Sequence, residues 1–454
     1  MPLPQAHRAL HTDLYELTMA AAYLERGMTE RAAFELFVRE LPPNRSFLLF
    51  AGLEQAVSYL QNLSFTGEQI DYLRRLEVFE GISGDFFDYL EGFSFSGALH
   101  AMPEGTPAFA EEPLLRVEAP LPEAQVVETF LLSMVNYQTL VATKAARVVK
   151  AASAGGRERA VVDFGTRRAH GPDAGVLAAR ASFIGGCAAT SNVEAGLQMG
   201  IPVSGTEAHS FIMAFESEEE AFRTYYNCFG RHAILLVDTY DSIEGTRRAA
   251  QVAPGMRGIR LDSGDLVELS RQARRLLDQA DRRDAMVFAS GDLDEHRIAR
   301  ILERGAEIDG FGVGTRMVTS EDAPSLGGVY KLAAVQKNGR WQPRLKLSED
   351  KATYPGLKQV HRFSEPGSGM LVRDVIACAE EACPEGAEEL LRPVLKEGQL
   401  VGELPDLEHI QQHARGEVGR LPEKYRRLQD AEPYPVDISP ELRRRFKSLA
   451  EEME

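Results

Sequence analysis

Residues that can hold anions, hydroxyls or metal ions recur just after short apolar runs in the middle of the chain. Asp163, Phe164, Gly165 and Arg167 follow one run, and Ser191 and Asn192 the next. Gly205, Thr206 and His209 follow a third, and Asp238 and Asp241 a fourth. Then come Arg260, Asp262, Ser263, Gly264 and Asp265, then Gly291 and Asp292, and last Gly312, Gly314 and Thr315. An Asp or Ser at any one of these places is explained about as well by helix capping. Arg and His are poor caps, so the set as a whole points to a ligand. The aspartates could bind ribose hydroxyls, hold Mg²⁺ through water or steady a cationic sugar. Arg39, Arg167 and Arg260 are the local positive charges an anionic ligand requires. GVGT (Gly312 to Thr315) suits a phosphate approaching the backbone, but no GxxxxGK[ST] is present, which excludes a P-loop NTPase.

A lone histidine is more often structural than catalytic. His209 sits in SGTEAHS, among small and hydroxylic residues, which favours a base, a metal ligand or a phosphate carrier. There is no HExxH or CxxC. His409 and His413 are spaced i, i+4 but fit a charged surface helix. Cys378 and Cys383 would supply only two zinc ligands.

The elements that must position these residues are legible from periodicity. Apolar runs at Ala160 to Phe164, Ala181 to Gly185, Pro202 to Gly205, Ala233 to Val237, Gly258 to Leu261, Met286 to Ala289 and Gly310 to Val313 read as buried strands. Helical patterns separate them: Asp173 to Ala179, Asn192 to Gln198, Glu218 to Phe229, Ser242 to Val252, Asp265 to Gln279 and Asp294 to Arg304. The fold class is therefore α/β, a parallel (β/α) barrel that need not be complete, with a doubly wound open sheet as the alternative. Such a barrel carries its site at the C-terminal strand ends, where the polar residues lie. Upstream, Asp13 to Leu24 reads as a helix capped by Thr12, Ala32 to Arg39 as an alternating strand, and Gly52 to Leu60 and Gly67 to Leu90 as helical. Gly97 to Glu118 reads as short strands and Glu123 to Ala152 as one long helix. From Lys337 onward strands and turns return, ending in a charged helix from Ser439. The expected domains are residues 1–122, an N-terminal α+β domain; 123–336, the barrel; and 337–454, an extension packing back on the first. The first and last thus form a smaller α+β domain.

The chain has 454 residues, 44% hydrophobic and 26% charged, enough for two or three folded domains. With 68 acidic against 51 basic residues the net charge is -17, which opposes binding to nucleic acid or an anionic membrane. Four cysteines do not make a disulfide scaffold, and the expected compartment is the cytoplasm. There is no signal-peptide pattern and no apolar run of about 18 residues.

Several long stretches in one order resemble the nicotinate phosphoribosyltransferase family. They are TDLYELTMAAAY, FELFVRELPPNRSFLLFAGL, EGTPAFAEEPLLRV, ETFLLSMVNYQTLVATKAAR, DFGTRRAHGPDAG, GCAATSNVEAG, GTEAHSF, RLDSGDL, ASGDLDE, GFGVGTR and KLSEDKATYPGLKQVHR. The resemblance implies joining of nicotinate to phosphoribosyl pyrophosphate, with Mg²⁺ and with ATP hydrolysed through a phosphohistidine, here His209. It implies that Phe164 stacks on the pyridine ring, that Arg167 helps hold it, and that Tyr15 covers its other face from the neighbouring subunit of a homodimer. Arg260 and Asp262 match residues near phosphate and ribose. Asp238 matches an acid closing on base and sugar, and Thr206 belongs to the same mouth. Gly291 and Asp292 match ribose contacts, and Gly312, Gly314 and Thr315 the 5′-phosphate cradle. Related nicotinamide enzymes carry an aspartate where Ser191 aligns. Serine removes a charge that would repel a carboxylate and can donate to one. Nicotinamide or quinolinate phosphoribosyltransferases are the nearest rivals; a metal-dependent barrel hydrolase and a non-catalytic nucleotide sensor are the others.

Overall fold

The computed structural model describes residues 5–347 and 353–453, with side chains from Arg8 onward. Residues 348–352, inside the KLSEDKATYPGLKQVHR stretch, lie outside the described residues. The chain forms two compact units, Met1–Leu140 with Ser325–Glu454, and Val141–Pro324. The division falls within the helix Glu128–Ala152. No helix among the described residues is long and apolar enough to cross a membrane.

The first unit gathers N- and C-terminal segments into one seven-stranded sheet, as the fold class anticipates, but it is the larger unit and not the smaller one, 270 residues against 184. Its order is Arg340–Pro343, Gly328–Lys337, Arg31–Val38, Pro113–Pro120, Ala98–Ala101, Arg392–Lys396 and Gln399–Leu400, with antiparallel neighbours. The Arg31–Val38 strand is buried on both faces from Ala32 onward, not alternately exposed. A four-stranded sheet follows, Ala387–Glu389, Lys358–Ser364, Leu371–Cys378 and Val436–Ile438. Buried ion pairs lock this unit. Lys358 Nζ lies 2.6 Å from Glu35 Oε2, and its N–H donates to Glu35 Oε1 at 2.9 Å. Arg362 donates from Nε and Nη2 to Asp374, and both side chains are fully buried. Lys358 and Arg362 of the KQVHR motif are thus committed to packing. Two expectations shift. Thr12 donates to Glu16 Oε2 at 2.6 Å, leaving the cap position of the Leu14–Glu25 helix to Asp13. The long helix expected from Glu123 is broken into Leu121–Gln125 and Glu128–Ala152.

The second unit is a curled parallel half-barrel. Six strands lie in the order Ala189–Thr190, Ala160–Asp163, Gly310–Val313, Met286–Ala289, Gly258–Leu261 and Ile234–Leu236. The run Ala181 to Gly185 is not a strand. It is the end of the helix Pro172–Ile184, whose residues from Gly175 on are all buried. A helix apolar on every side reads in sequence like a buried strand, and only length separates them. The Pro202 to Gly205 run makes a single bridge, Thr190 with Val203.

Strand alternation puts Val162, Ile234 and Phe288 on the concave side, where they form a small core with Ala189 and the half-buried Phe164. Two glycines make room for the rings. A Cβ on Gly310 would lie 2.9 Å from the Phe288 ring, and one on Gly312 would lie 2.4 Å from the Phe164 ring. Gly312 is therefore required by an aromatic neighbour, whatever else approaches it.

The half-barrel is open between Val203 and the edge strand Ile234–Leu236. An edge strand leaves N–H groups unpaired, and a buried one is costly. The carboxylate of Glu207 supplies the missing acceptor, taking the Leu236 N–H at 2.5 Å with Oε1. Glu207 is buried, and its Oε2 has no hydrogen-bond partner among the described residues. Burial pushes its carboxyl up from 4.5 to about 7, while the Leu236 N–H and Arg260 pull it down.

Gly312→Ala should cost about 1–3 kcal/mol in urea unfolding, the usual penalty for overpacking. Added to Phe164→Ala, it should cost distinctly less. Equal costs in both backgrounds would mean the two side chains do not compete for space. For Glu207 the raised folded value means that the fully protonated form favours the fold. Stability is therefore retained below pH 4.5 and lost as pH rises toward 7. Glu207→Gln keeps the acceptor without titrating, so it should gain on the order of 3 kcal/mol relative to wild type between pH 5 and pH 8. A gap between the two proteins that stays constant with pH would remove Glu207 as the titrating group.

Candidate active site

The strand tops are stitched together by backbone bonds. Phe164 N–H donates to Val313 O at 2.9 Å, Ser191 N–H to Asp163 O at 2.8 Å, Ser290 N–H to Leu261 O at 2.9 Å, and Val237 N–H to Arg260 O at 3.2 Å. Asp163 fixes one corner. Fully buried, it accepts from the Gly165 N–H and the Thr190 hydroxyl, both at 2.8 Å. Burial raises its carboxyl, and these two donors partly offset that. Gly165 is forced by Val318, whose Cγ1 would be 2.0 Å from a Cβ there.

Arg260 is the hub. Its Nε donates to Ser290 Oγ at 2.8 Å and its Nη2 to Asp262 Oδ1 at 2.9 Å. Nη1 donates to Thr206 Oγ1 at 2.5 Å and to the Glu207 carbonyl at 3.3 Å. Its guanidinium carbon lies 5.8 Å from the centre of the Phe164 ring. Asp262 is further bound by the Ser290 hydroxyl, and its Oδ2 is 3.8 Å from His209 Nε2. Burial disfavours the Asp262 carboxylate, but Ser290, Arg260 and His209 prevail and hold its pKa below the ordinary value. His209 opens the short helix His209–Met213, with Nδ1 3.1 Å from the Thr239 hydroxyl and its side chain 41% exposed. Asp238 Oδ2 accepts from the Asp262 N–H at 2.8 Å and the Ser263 hydroxyl at 2.7 Å. Its Oδ1 is buried without a hydrogen-bond partner among the described residues.

The structure therefore brings Phe164, Thr206, His209, Asp238, Arg260 and Asp262 into one connected network. Ser191 sits half-buried at the neighbouring strand top. Arg167 lies on the turn Thr166–Arg168, exposed, with no hydrogen bond or ion pair among the described residues. Gly291 and Asp292 form a left-handed turn, φ 91° and 46°, pressed so close to Asp262 that a Cβ on Gly291 would meet its carbonyl at 1.9 Å. Gly314 precedes the short helix Thr315–Val318. Tyr15 and Arg39 belong to the other unit. Tyr15 is 45% exposed, and burial with the carboxylates of Glu128 and Glu16 raises its phenol.

Capping does explain part of the polar pattern. Asp241 accepts from Ile243 and Glu244, Asp265 from Val267 and Glu268, and Asn192 from Ala195, each as an N-cap. So one aspartate of each acidic pair is a cap and the other, Asp238 or Asp262, belongs to the network. Sequence reasoning missed Ser290, Thr239 and Glu207. Ser290 directly follows an apolar run, a signal that could have found it; a buried acceptor closing a sheet gap leaves none. Among the described residues no group of three metal-ligating side chains converges on His209.

Three family models match: the nicotinate phosphoribosyltransferase N-terminal domain over residues 10–136, the nicotinate phosphoribosyltransferase family over 159–356, and its C-terminal domain over 383–445. The chain is 43% identical to a nicotinate phosphoribosyltransferase of Bacillus subtilis (strain 168), across 95% of this chain and 93% of that one. It is 43% identical to one from Mycobacterium tuberculosis (strain ATCC 25618 / H37Rv), across 97% and 93%. The crystal structure of human nicotinic acid phosphoribosyltransferase superposes with a TM-score of 0.85 at 31% identity, covering 96% of this chain and 99% of that one. With this identity sustained along almost its full length, the chain belongs to the nicotinate phosphoribosyltransferase family.

Proposed function

We propose that this chain joins nicotinate to phosphoribosyl pyrophosphate, giving nicotinate mononucleotide and pyrophosphate in NAD salvage, coupled to ATP hydrolysis through phosphorylated His209. Family membership supports the transfer. The observation that carries the site is the shared network of His209, Asp262 and Arg260 at the strand tops.

The chemistry asks little of acid–base catalysis. The bond from the ribosyl anomeric carbon to pyrophosphate breaks, and its electron pair leaves with pyrophosphate. The lone pair of the pyridine nitrogen forms the new bond, so no proton has to be removed. What the site must supply is orientation and charge. Phe164 offers a face for the ring. Arg167, without a partner among the described residues, and the Ser191 hydroxyl are the donors this reading assigns to the nicotinate carboxylate. Asp262 and the unpaired Asp238 Oδ1 are the oxygens available to a cationic sugar and its hydroxyls. The same Asp238 oxygen fits a role in holding Mg²⁺, which when bound with the pyrophosphate neutralises charge on the leaving group. On this reading Gly291 and Asp292 would touch ribose, and Gly314 and Thr315, beside Gly312, would receive the 5′-phosphate.

A homodimer sharing its sites fits the exposed apolar side chains Leu14, Tyr15 and Met19 on one helix, and Val193, Leu197, Val203 and Met213 in the barrel unit. Tyr15 would cover the ring from the partner.

Pyrophosphate release should be fastest with nicotinate and should rise with ATP. Faster turnover of nicotinamide or quinolinate would refute the Ser191 reading. His209→Ala should keep slow transfer that ATP no longer stimulates, and γ-labelled ATP should label wild type acid-labilely and leave the variant blank. Equal labelling would exclude His209 as the phosphate carrier. Mixed dimers of Tyr15→Ala and His209→Ala chains should regain part of the activity; verified mixed dimers without recovery would show that sites are not shared.

A further inference from the structure

The C-terminal motifs hold chemistry that the transfer reaction does not use. Cys378 and Cys383 do not act as a pair: Cys378 is buried at the end of its strand, and Cys383 is exposed in the following turn. Cys383 instead faces two other side chains. His361 and Glu389 lie directly opposite one another on paired strands, Lys358–Ser364 and Ala387–Glu389, so both project from the same face of the sheet. His361 Nε2 is 3.8 Å from Glu389 Oε1. Ligand atoms of His361, Cys383 and Glu389 all lie within 4.8 Å of one another. Cys383 Sγ is held in place by a weak hydrogen bond to the Ala387 carbonyl at 3.4 Å.

The histidine is the informative member. His361 is 1% exposed, yet its Nε2 has no hydrogen-bond partner among the described residues. A buried ring nitrogen left unpaired destabilises the fold, and here it lies beside a thiol and a carboxylate. One nitrogen, one sulfur and one oxygen, drawn from a central strand, a turn and an edge strand, form a borderline-soft set. It suits a tetrahedral d¹⁰ ion better than Mg²⁺ or Ca²⁺, which take oxygen. A groove of about 580 Å³, lined by His361, Glu381 and Pro384 among others, opens beside the histidine.

We propose that His361 Nε2, Cys383 Sγ and Glu389 bind one Zn²⁺ with water as the fourth ligand. The ion clips the 379–386 turn to the four-stranded sheet. On binding, the Cys383 thiol gives its proton to solvent and coordinates as thiolate.

The test uses the full chain without a histidine tag, stripped with chelator. One equivalent of Co²⁺ should produce a near-ultraviolet thiolate-to-cobalt band together with visible bands of tetrahedral intensity. Competition against a chromophoric chelator should give one Zn²⁺ per chain. Cys383→Ser should abolish the thiolate band and weaken Zn²⁺ at least about 100-fold, beyond what loss of an outer-sphere partner costs. Glu389→Gln, an exposed change, should keep the thiolate band and weaken Zn²⁺ about 10-fold or more. Cys228→Ser should change neither. Because Cys383 and Glu389 are exposed, circular dichroism of both variants should match wild type. A wild type that binds no Zn²⁺, a thiolate band that survives Cys383→Ser, or affinity indifferent to both ligand variants would overturn the site.

Discussion

A guanidinium stands at the centre of this half-barrel, and most of the mouth is arranged around it. Arg260 occupies a strand position between Leu236 and Phe288, where the interior is otherwise apolar or glycine. A charge there must be satisfied by neighbours or destabilise the fold. Its donors reach Ser290 on the next strand top, Asp262 on its own strand top, and Thr206 with the Glu207 carbonyl in the segment before His209. The three groups come from parts of the chain up to 84 residues apart (positions 206 to 290), and one planar cation fixes their mutual positions. Lysine could not do this, having no rigid fork. Of the five guanidinium N–H groups, the one on Nη2 that does not meet Asp262 has no partner among the described residues. Arg260 thus serves as the organiser of the strand tops.

The incomplete barrel follows from the same region. Closing the sheet would require the Val203 strand to pair with Ile234–Leu236. The chain from Ser204 to His209 passes through that gap instead, carrying Thr206 to Arg260 and Glu207 to Leu236. A closed barrel would leave no gap for these contacts. The opening is therefore not a defect in packing. It is the space in which the His209 loop is held between a hydroxyl bonded to the hub and a carboxylate bonded to the edge strand.

The βα alternation and the clustering of polar groups at the candidate site were legible because buried parallel strands are short, apolar and end in polar groups. Six of the seven expected runs touch the sheet, five as strands. The seventh, Ala181 to Gly185, failed because Phe183 and Ile184 end a helix buried all round, which hides the 3.6-residue period. His209, Asp238, Asp262 and Arg260 stood out by residue type at strand ends. What stayed hidden depends on distance: which aspartate caps a helix and which faces the mouth, why Gly312 is glycine, and what Glu207 accepts. His361 was equally invisible, since a histidine in an amphipathic strand gives no sign that its far nitrogen lacks a partner.

The network also gives a physical reason why ATP could change the affinity of a site in so acidic a chain. With a net charge of -17, the protein repels polyphosphates at long range, and Arg260 is already shared with Asp262. If His209 carries a phosphoryl group, up to about two negative charges arrive beside Asp262, whose carboxylate lies 3.8 Å from the imidazole. Two anions at that spacing compete for the same guanidinium. Either Arg260 turns toward the phosphoryl group, loosening its hold on Asp262 and Ser290, or Mg²⁺ is drawn in to share the charge. Both outcomes alter the strand tops where the sugar would bind, and dephosphorylation restores the first arrangement. On the proposed reading an affinity change would require no distant conformational relay; it would follow from one cation serving a carboxylate whose neighbour alternately gains and loses charge.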